Sequence, residues 1–174
     1  MVRTQADDDA AEGHPQVDRR VLVTRGPPRG RGPVAFGPVR LSPDLAQELV
    51  AHAIRDLPNE CCGLIAGRAG DAVRVLPATN SEGSPFMYVM DPQEQLRLMD
   101  EIDDSGDDLL AVYHSHTRSA AFPSRTDVEL AFFPDTLYLI VSIADRDAPD
   151  IRAYRLSRGA PEGEQIHEEE VLIG

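Results

Sequence analysis

Residues 114–127 read His-Ser-His-Thr-Arg-Ser-Ala-Ala-Phe-Pro-Ser-Arg-Thr-Asp. Two imidazoles stand two residues apart, followed by seven residues, Ser124, two residues and Asp127. At a strand end, His114 and His116 point to one face, because side chains alternate with a period of two. Asp127 falls on the first turn of the helix that Ser124 opens. Two imidazoles and a carboxylate suit Zn²⁺ and leave a fourth tetrahedral position open, the pattern of a catalytic rather than a structural site. An ion so held acidifies water and polarises a carbonyl. Breaking an amide also needs a proton shuttle, since the nitrogen leaves only when protonated. Glu60, in Asn59-Glu-Cys-Cys-Gly-Leu-Ile-Ala-Gly67, is the candidate. Ser124 is the candidate for stabilising an oxyanion or orienting the water.

Each part alone has an ordinary reading. A lone His-x-His is common in cores and on surfaces. Ser124-x-x-Asp127 is also a helix start of capping-box type. A glutamate at the head of a strand is usually just solvated. The conjunction of strand, His-x-His, loop, Ser-x-x-Asp and upstream Glu carries the metal-site reading. The other histidines, His14, His52 and His167, read as structural or solvated.

The surrounding elements follow from local grammar. Ser42-Pro43-Asp44 starts a helix, with Leu45, Leu49, Ala53 and Leu57 at helical spacing and Pro58 beyond its end. Strands are expected over residues 60–67 and 73–76, with a loop or irregular strand over 79–90. Asp91-Pro92-Gln93-Glu94 starts a second helix with an apolar face of Leu96, Met99 and Ile102, ended by Ser105-Gly106. Residues 109–113 form a buried strand leading into His114. A third helix is expected from Ser124 through Phe133, stopped by Pro134. Strands over 137–143 and 151–156 and a weaker one over 170–173 complete a mixed α/β domain, one central sheet between helices.

Residues 1–36, with Asp7-Asp8-Asp9 and the Pro/Gly-dense run from Arg25 to Pro33, read as a poorly ordered extension carrying one weak strand at Val21–Val23. The domain proper spans 37–174. The chain has 174 residues and 41% apolar content, enough for one core. Net charge is −13, and the domain is more acidic than the extension, which disfavours nucleic acid. All 17 basic residues are Arg, so no lysine Schiff base is available. No apolar run is long enough to span a bilayer and residues 1–13 are polar, so the cytoplasm is the expected compartment. Adjacent Cys61 and Cys62 read as reduced thiols on opposite faces of a strand.

Upstream Glu60 together with His114-Ser-His116, Ser124 and Asp127 resembles the signature of the JAMM/MPN-plus metalloproteases, and the likeness extends over residues 38–174. It implies a cytidine-deaminase-like fold with a curved mixed sheet flanked by helices. It also implies Zn²⁺ on His114, His116 and Asp127, Glu60 as general acid/base and Ser124 as oxyanion stabiliser. Pro58-Asn-Glu-Cys-Cys-Gly-Leu64, Tyr113-His-Ser-His-Thr117 and Phe122-Pro-Ser-Arg-Thr-Asp127 are similar to the small actinobacterial branch that hydrolyses a sulfur-carrier-protein–cysteine adduct. That branch implies a ubiquitin-like carrier with a C-terminal Gly-Gly as partner and release of free cysteine. Residues 81–90 are the candidate wall of a channel for such a tail. Thr117, where many deubiquitinating relatives carry Pro, argues against an isopeptidase. The alternatives are an isopeptidase or peptidase for another conjugate, a DNA-repair-associated domain, and a non-catalytic module. The sequence leaves the oligomeric state open, a homodimer included.

Overall fold

The computed structural model describes residues 37–174; the extension over 1–36 and its strand lie outside them. Strand β1 (Val39–Leu41) leads into helix α1 (Pro43–Arg55). The Ser42 hydroxyl accepts from the Leu45 amide and Pro43 sits where no N–H is needed, as the sequence grammar requires. Antiparallel strands β2 (Cys62–Arg68) and β3 (Asp71–Ala78) follow, then helix α2 (Pro92–Asp104), capped by Asp91. Strand β4 (Asp108–His116) is the longest strand and ends on the second motif histidine. Helix α3 (Arg125–Glu129), strands β5 (Leu137–Ser142) and β6 (Asp150–Leu156), and short strands β7 (Ile166–Glu169) and β8 (Val171–Ile173) complete the order.

One eight-stranded mixed sheet runs β7-β6-β5-β4-β2-β3-β1-β8. β4 and β5 are parallel, as are β1 with β3 and with β8; the other pairs are antiparallel. The sheet curves until β6 approaches β8. Each face buries its own core. Leu49 and Ala53 of α1 pack with Cys61, Ile65, Tyr113 and Leu139 on one side. Leu98 and Ile102 of α2 and Val128 of α3 pack with Cys62, Leu64, Val112 and Ile140 on the other. Cys61 and Cys62 are free and lie in opposite cores, as their adjacency at a strand start predicts. Burial pushes the Cys61 thiol up to about 12 and Cys62 higher still, so neither is a ready nucleophile.

Three expectations change, and the weak terminal strand is found. The third helix stops at Glu129 rather than running to Phe133: the Ala131 amide turns back to the Val128 carbonyl, and the Phe133 amide donates to the Tyr138 hydroxyl instead of rejoining a helical ladder. Of the expected face of α2, Ile102 is buried and Met99 packs against the core, but Leu98, the i,i+4 partner of Ile102, takes the place of Leu96, which is only half-buried. β1 and β7 are additional strands. The weak terminal strand is β8, which is held by β1 through the Val39 amide to the Glu170 carbonyl and the Gly174 amide to the Leu41 carbonyl.

Candidate metal centre

Strand alternation on β4 divides its side chains between two jobs. Tyr113 and Ser115 face α1. There the Tyr113 hydroxyl lies 2.7 Å from His52 Nδ1, whose Nε2 is 3.1 Å from Asp56. Burial lowers the His52 pKa, so this histidine is a neutral structural bridge from helix to strand. His114 and His116 face the other way, toward α2 and α3. Register fixes them, since His114 lies opposite Cys62 of β2 and Ile140 of β5, and His116 opposite Ser142.

Asp127 reaches the same point from the first turn of α3. Its carboxylate accepts from the Ser124 amide at 2.7 Å, and the Ser124 hydroxyl accepts from the Asp127 amide at 3.2 Å. This reciprocal capping box fixes the carboxylate. Asp127 Oδ1 lies 3.3 Å from His114 Nε2, Oδ2 lies 3.5 Å from His116 Nε2, and the two Nε2 atoms are 3.1 Å apart. Ligands on a tetrahedral ion at the Zn–N and Zn–O lengths of about 2.0–2.1 Å would stand roughly 3.3 Å apart. His116 donates from Nδ1 to the Ala120 carbonyl at 2.8 Å, which presents Nε2 to the cluster. His114 Nδ1 is buried with no protein partner. The donor set therefore fits a cation: three ligand atoms of the right chemistry converge at the right spacing among the described residues.

Burial would lower His116, but its bonds to Asp127 and Ala120 override this and hold it above the ordinary histidine value. Burial would raise Asp127, yet the charge and hydrogen bond of His114 and the bonds to His116 and Ser124 hold it well below the usual carboxylate range.

Glu60 lies just ahead of β2 and is only 5% exposed. Burial drives its carboxyl up to about 7; the nearby His116 pulls it down and Asp127 pushes it up, so it shares the field of the cluster. A carboxylate with a pKa near neutrality can both take and return a proton. Four of the five candidate residues are thus buried together, and the fifth, Ser124, is an exposed N-cap tied to Asp127.

Sequence reasoning gave no individual role to two residues here. Tyr88 stacks on His114 with ring centroids 4.6 Å apart and planes 22° apart. Asn80 ties Glu60 to the loop that carries Tyr88. An asparagine and a tyrosine in an irregular segment carry no periodic signal, and the sequence marked residues 79–90 only as a loop or irregular strand, with 81–90 as a candidate channel wall.

Fold and site together define a hydrolase domain built around a His-His-Asp cluster that could hold a metal ion. The chain belongs to the prokaryotic homologs of the JAB domain, whose family model matches residues 42–157. It is 43% identical over 126 residues to the CysO-cysteine peptidase of Mycobacterium tuberculosis, covering 71% of this chain and 86% of that one. It is 37% identical over 110 residues to a desampylase of Haloferax volcanii, covering 59% of this chain and 78% of the relative. The solution structure of a Desulfitobacterium hafniense protein aligns with a TM-score of 0.70 at 35% identity, over 78% of this chain and 92% of that one. No helix among the described residues is long and apolar enough to cross a membrane.

Proposed function

We propose that this chain is a zinc-dependent hydrolase that cleaves the Gly–Cys amide bond joining cysteine to the C-terminus of a ubiquitin-like sulfur-carrier protein, releasing cysteine for biosynthesis. The observation that carries this reading is the convergence of His114, His116 and Asp127 beside a buried Glu60 whose carboxyl is poised near neutrality. Similarity to a CysO-cysteine peptidase over most of that protein's length supports the substrate class. Two free cysteines suit a reducing compartment, and we place the reaction in the cytoplasm.

His114, His116 and Asp127 would hold zinc, which supplies Lewis acidity toward water and the scissile carbonyl. Glu60 takes a proton from the attacking water and returns it to the cysteine nitrogen as the amide breaks. Ser124, at the exposed mouth of the cluster, donates its hydroxyl to the developing oxyanion. Its hydroxyl hydrogen is free for this, because in the cap the oxygen acts as acceptor. The 81–90 loop forms one wall of the approach, and a Gly-Gly tail is slim enough to pass it. A first-step hydrolysis without redox change needs only water as co-reactant.

The test is direct. Zinc-loaded protein is incubated with a Gly-Gly carrier bearing C-terminal cysteine, and mass spectrometry follows the loss of cysteine. Cleavage by wild type, with none by Glu60→Gln or by chelator-treated protein, is the expected result. An intact adduct beside a fully loaded enzyme would overturn this substrate. Cleavage of another Gly-Gly conjugate by the same sample would then assign the isopeptidase activity instead.

A further inference from the structure

Glu60 is the candidate site residue least supported by regular structure. His114 and His116 are held by strand register and Asp127 by a helix cap. Glu60 precedes β2, whose pairing with its neighbours begins at Cys62, so its backbone needs other partners. The Asn80 side chain supplies one. Its Nδ2 donates to the Glu60 carbonyl at 2.9 Å and to the Met87 carbonyl at 3.2 Å. Its Oδ1 accepts from the amides of Glu82 and Val89, both at 3.1 Å. The Glu60 amide in turn donates to the Ser84 carbonyl at 2.9 Å. On the far side, the next amide, Cys61, donates to Ser115 Oγ at 2.8 Å.

We propose that Asn80 is a positioning residue that clamps the Glu60 backbone to the 81–90 loop and so sets the Glu60 carboxyl against the metal cluster. The chemistry requires a carboxamide. Two donors and two accepting lone pairs are used at once, and among short side chains only asparagine offers both. The same loop lays Tyr88 on His114 and receives Thr117 Oγ1 at the Pro85 carbonyl, 3.4 Å away. One side chain therefore joins the proton-transfer residue to the segment that roofs a metal ligand. Its catalytic consequence rests on the function proposed above, while the clamp itself does not.

Asn80→Asp separates the two halves of the clamp. It keeps an oxygen for the Glu82 and Val89 amides and loses both donors. Amide hydrogen exchange, zinc content and steady-state kinetics are compared with wild type. The Glu60 amide should exchange about tenfold faster while Glu82 and Val89 keep their protection. Zinc content should stay full and KM within about twofold, while kcat falls on the order of 100-fold, the penalty of an ångström-scale misplacement. Unchanged Glu60 exchange would overturn the clamp whatever the turnover. Faster Glu60 exchange with kcat intact would overturn the positioning role. Should Asn80→Asp not fold, Asn80→Gln, which shifts the amide by one methylene and keeps every partner type, is read by the same criteria. If wild type leaves the cysteine adduct intact, only the substrate falls, and the exchange data still decide the clamp.

Discussion

At the residue scale, environment gives two carboxylates opposite assignments. Asp127 is held deprotonated by the histidines and its cap, as its proposed part as a cation ligand requires, and Glu60 is pushed up to about 7 by burial, as its proposed part in proton transfer requires. Glu60→Gln should therefore lose on the order of 10²–10⁴ in kcat and keep its zinc. The same substitution makes a stability prediction for chelator-treated protein. Unfolded Glu60 releases its proton near 4.5 and folded Glu60 near 7. Between these values the folded state holds a proton that the unfolded state has lost, so wild-type stability falls as pH rises through that window. Gln has no proton to lose. Glu60→Gln should gain on wild type from pH 4.5 to 7.5, by about 3 kcal/mol at the top. His116, raised, slopes with Glu60, and His52, lowered, slopes against it; subtracting wild type largely removes both. Urea titrations at three pH values would reveal the trend, and a constant offset would refute it. Ser124 has two roles to separate. Ser124→Ala removes a cap and should cost about 1 kcal/mol as well as turnover. Ser124→Asp restores the cap but places a negative charge where the oxyanion develops, so wild-type melting with lost turnover is expected; full activity would reduce Ser124 to a cap.

At the element scale, the site depends on how closely β2 packs on its surroundings. A Cβ on Gly63 would stand 2.5 Å from the Tyr113 ring and closer still to the Leu76 carbonyl. Tyr113 precedes His114 and anchors β4 to α1 through His52. Gly63→Ala should thus cost about 1–3 kcal/mol by overpacking and lower zinc affinity by shifting β4. Thermal melts with competitive zinc titration would check both, and an unperturbed melt would show that Tyr113 can move aside. These elements were unequally legible. The starts of α1 and α2 could be read because Ser42-Pro43 and Asp91-Pro92 state cap and first turn in adjacent residues. His114 and His116 could be placed because a buried apolar run ends in them and alternation does the rest. The end of α3 could not, since a tyrosine hydroxyl from β5 takes the Phe133 amide, and that is a tertiary event. β1 and β7 are too short to carry a pattern. The Asn80 clamp joins irregular segments about 20 residues apart in the chain, so no local rule points to it.

At the scale of the whole molecule, the curved sheet is finished by the two ends of the domain. β1 lies between β3 and β8 and is parallel to both, with Val39 and Leu41 each 1% exposed. We expect residues 1–36 to be dispensable to this architecture and β1 to be essential. A chain beginning at residue 37 should melt within a few degrees of full length and cleave as well. Beginning at residue 42 instead removes two buried apolar side chains, worth about 1.5–3 kcal/mol each, together with the ladder that holds β8. Against a total stability of roughly 5–15 kcal/mol, that loss approaches the whole margin. It also bares the edges of β3 and β8, which invites edge-to-edge association. The shorter chain should therefore aggregate or melt near room temperature, although no residue of the metal cluster has been touched. Calorimetry and light scattering on the two truncations would distinguish the cases. A stable, zinc-binding chain from residue 42 would mean that β1 decorates the sheet; its failure beside an intact chain from residue 37 would place the domain boundary between those positions.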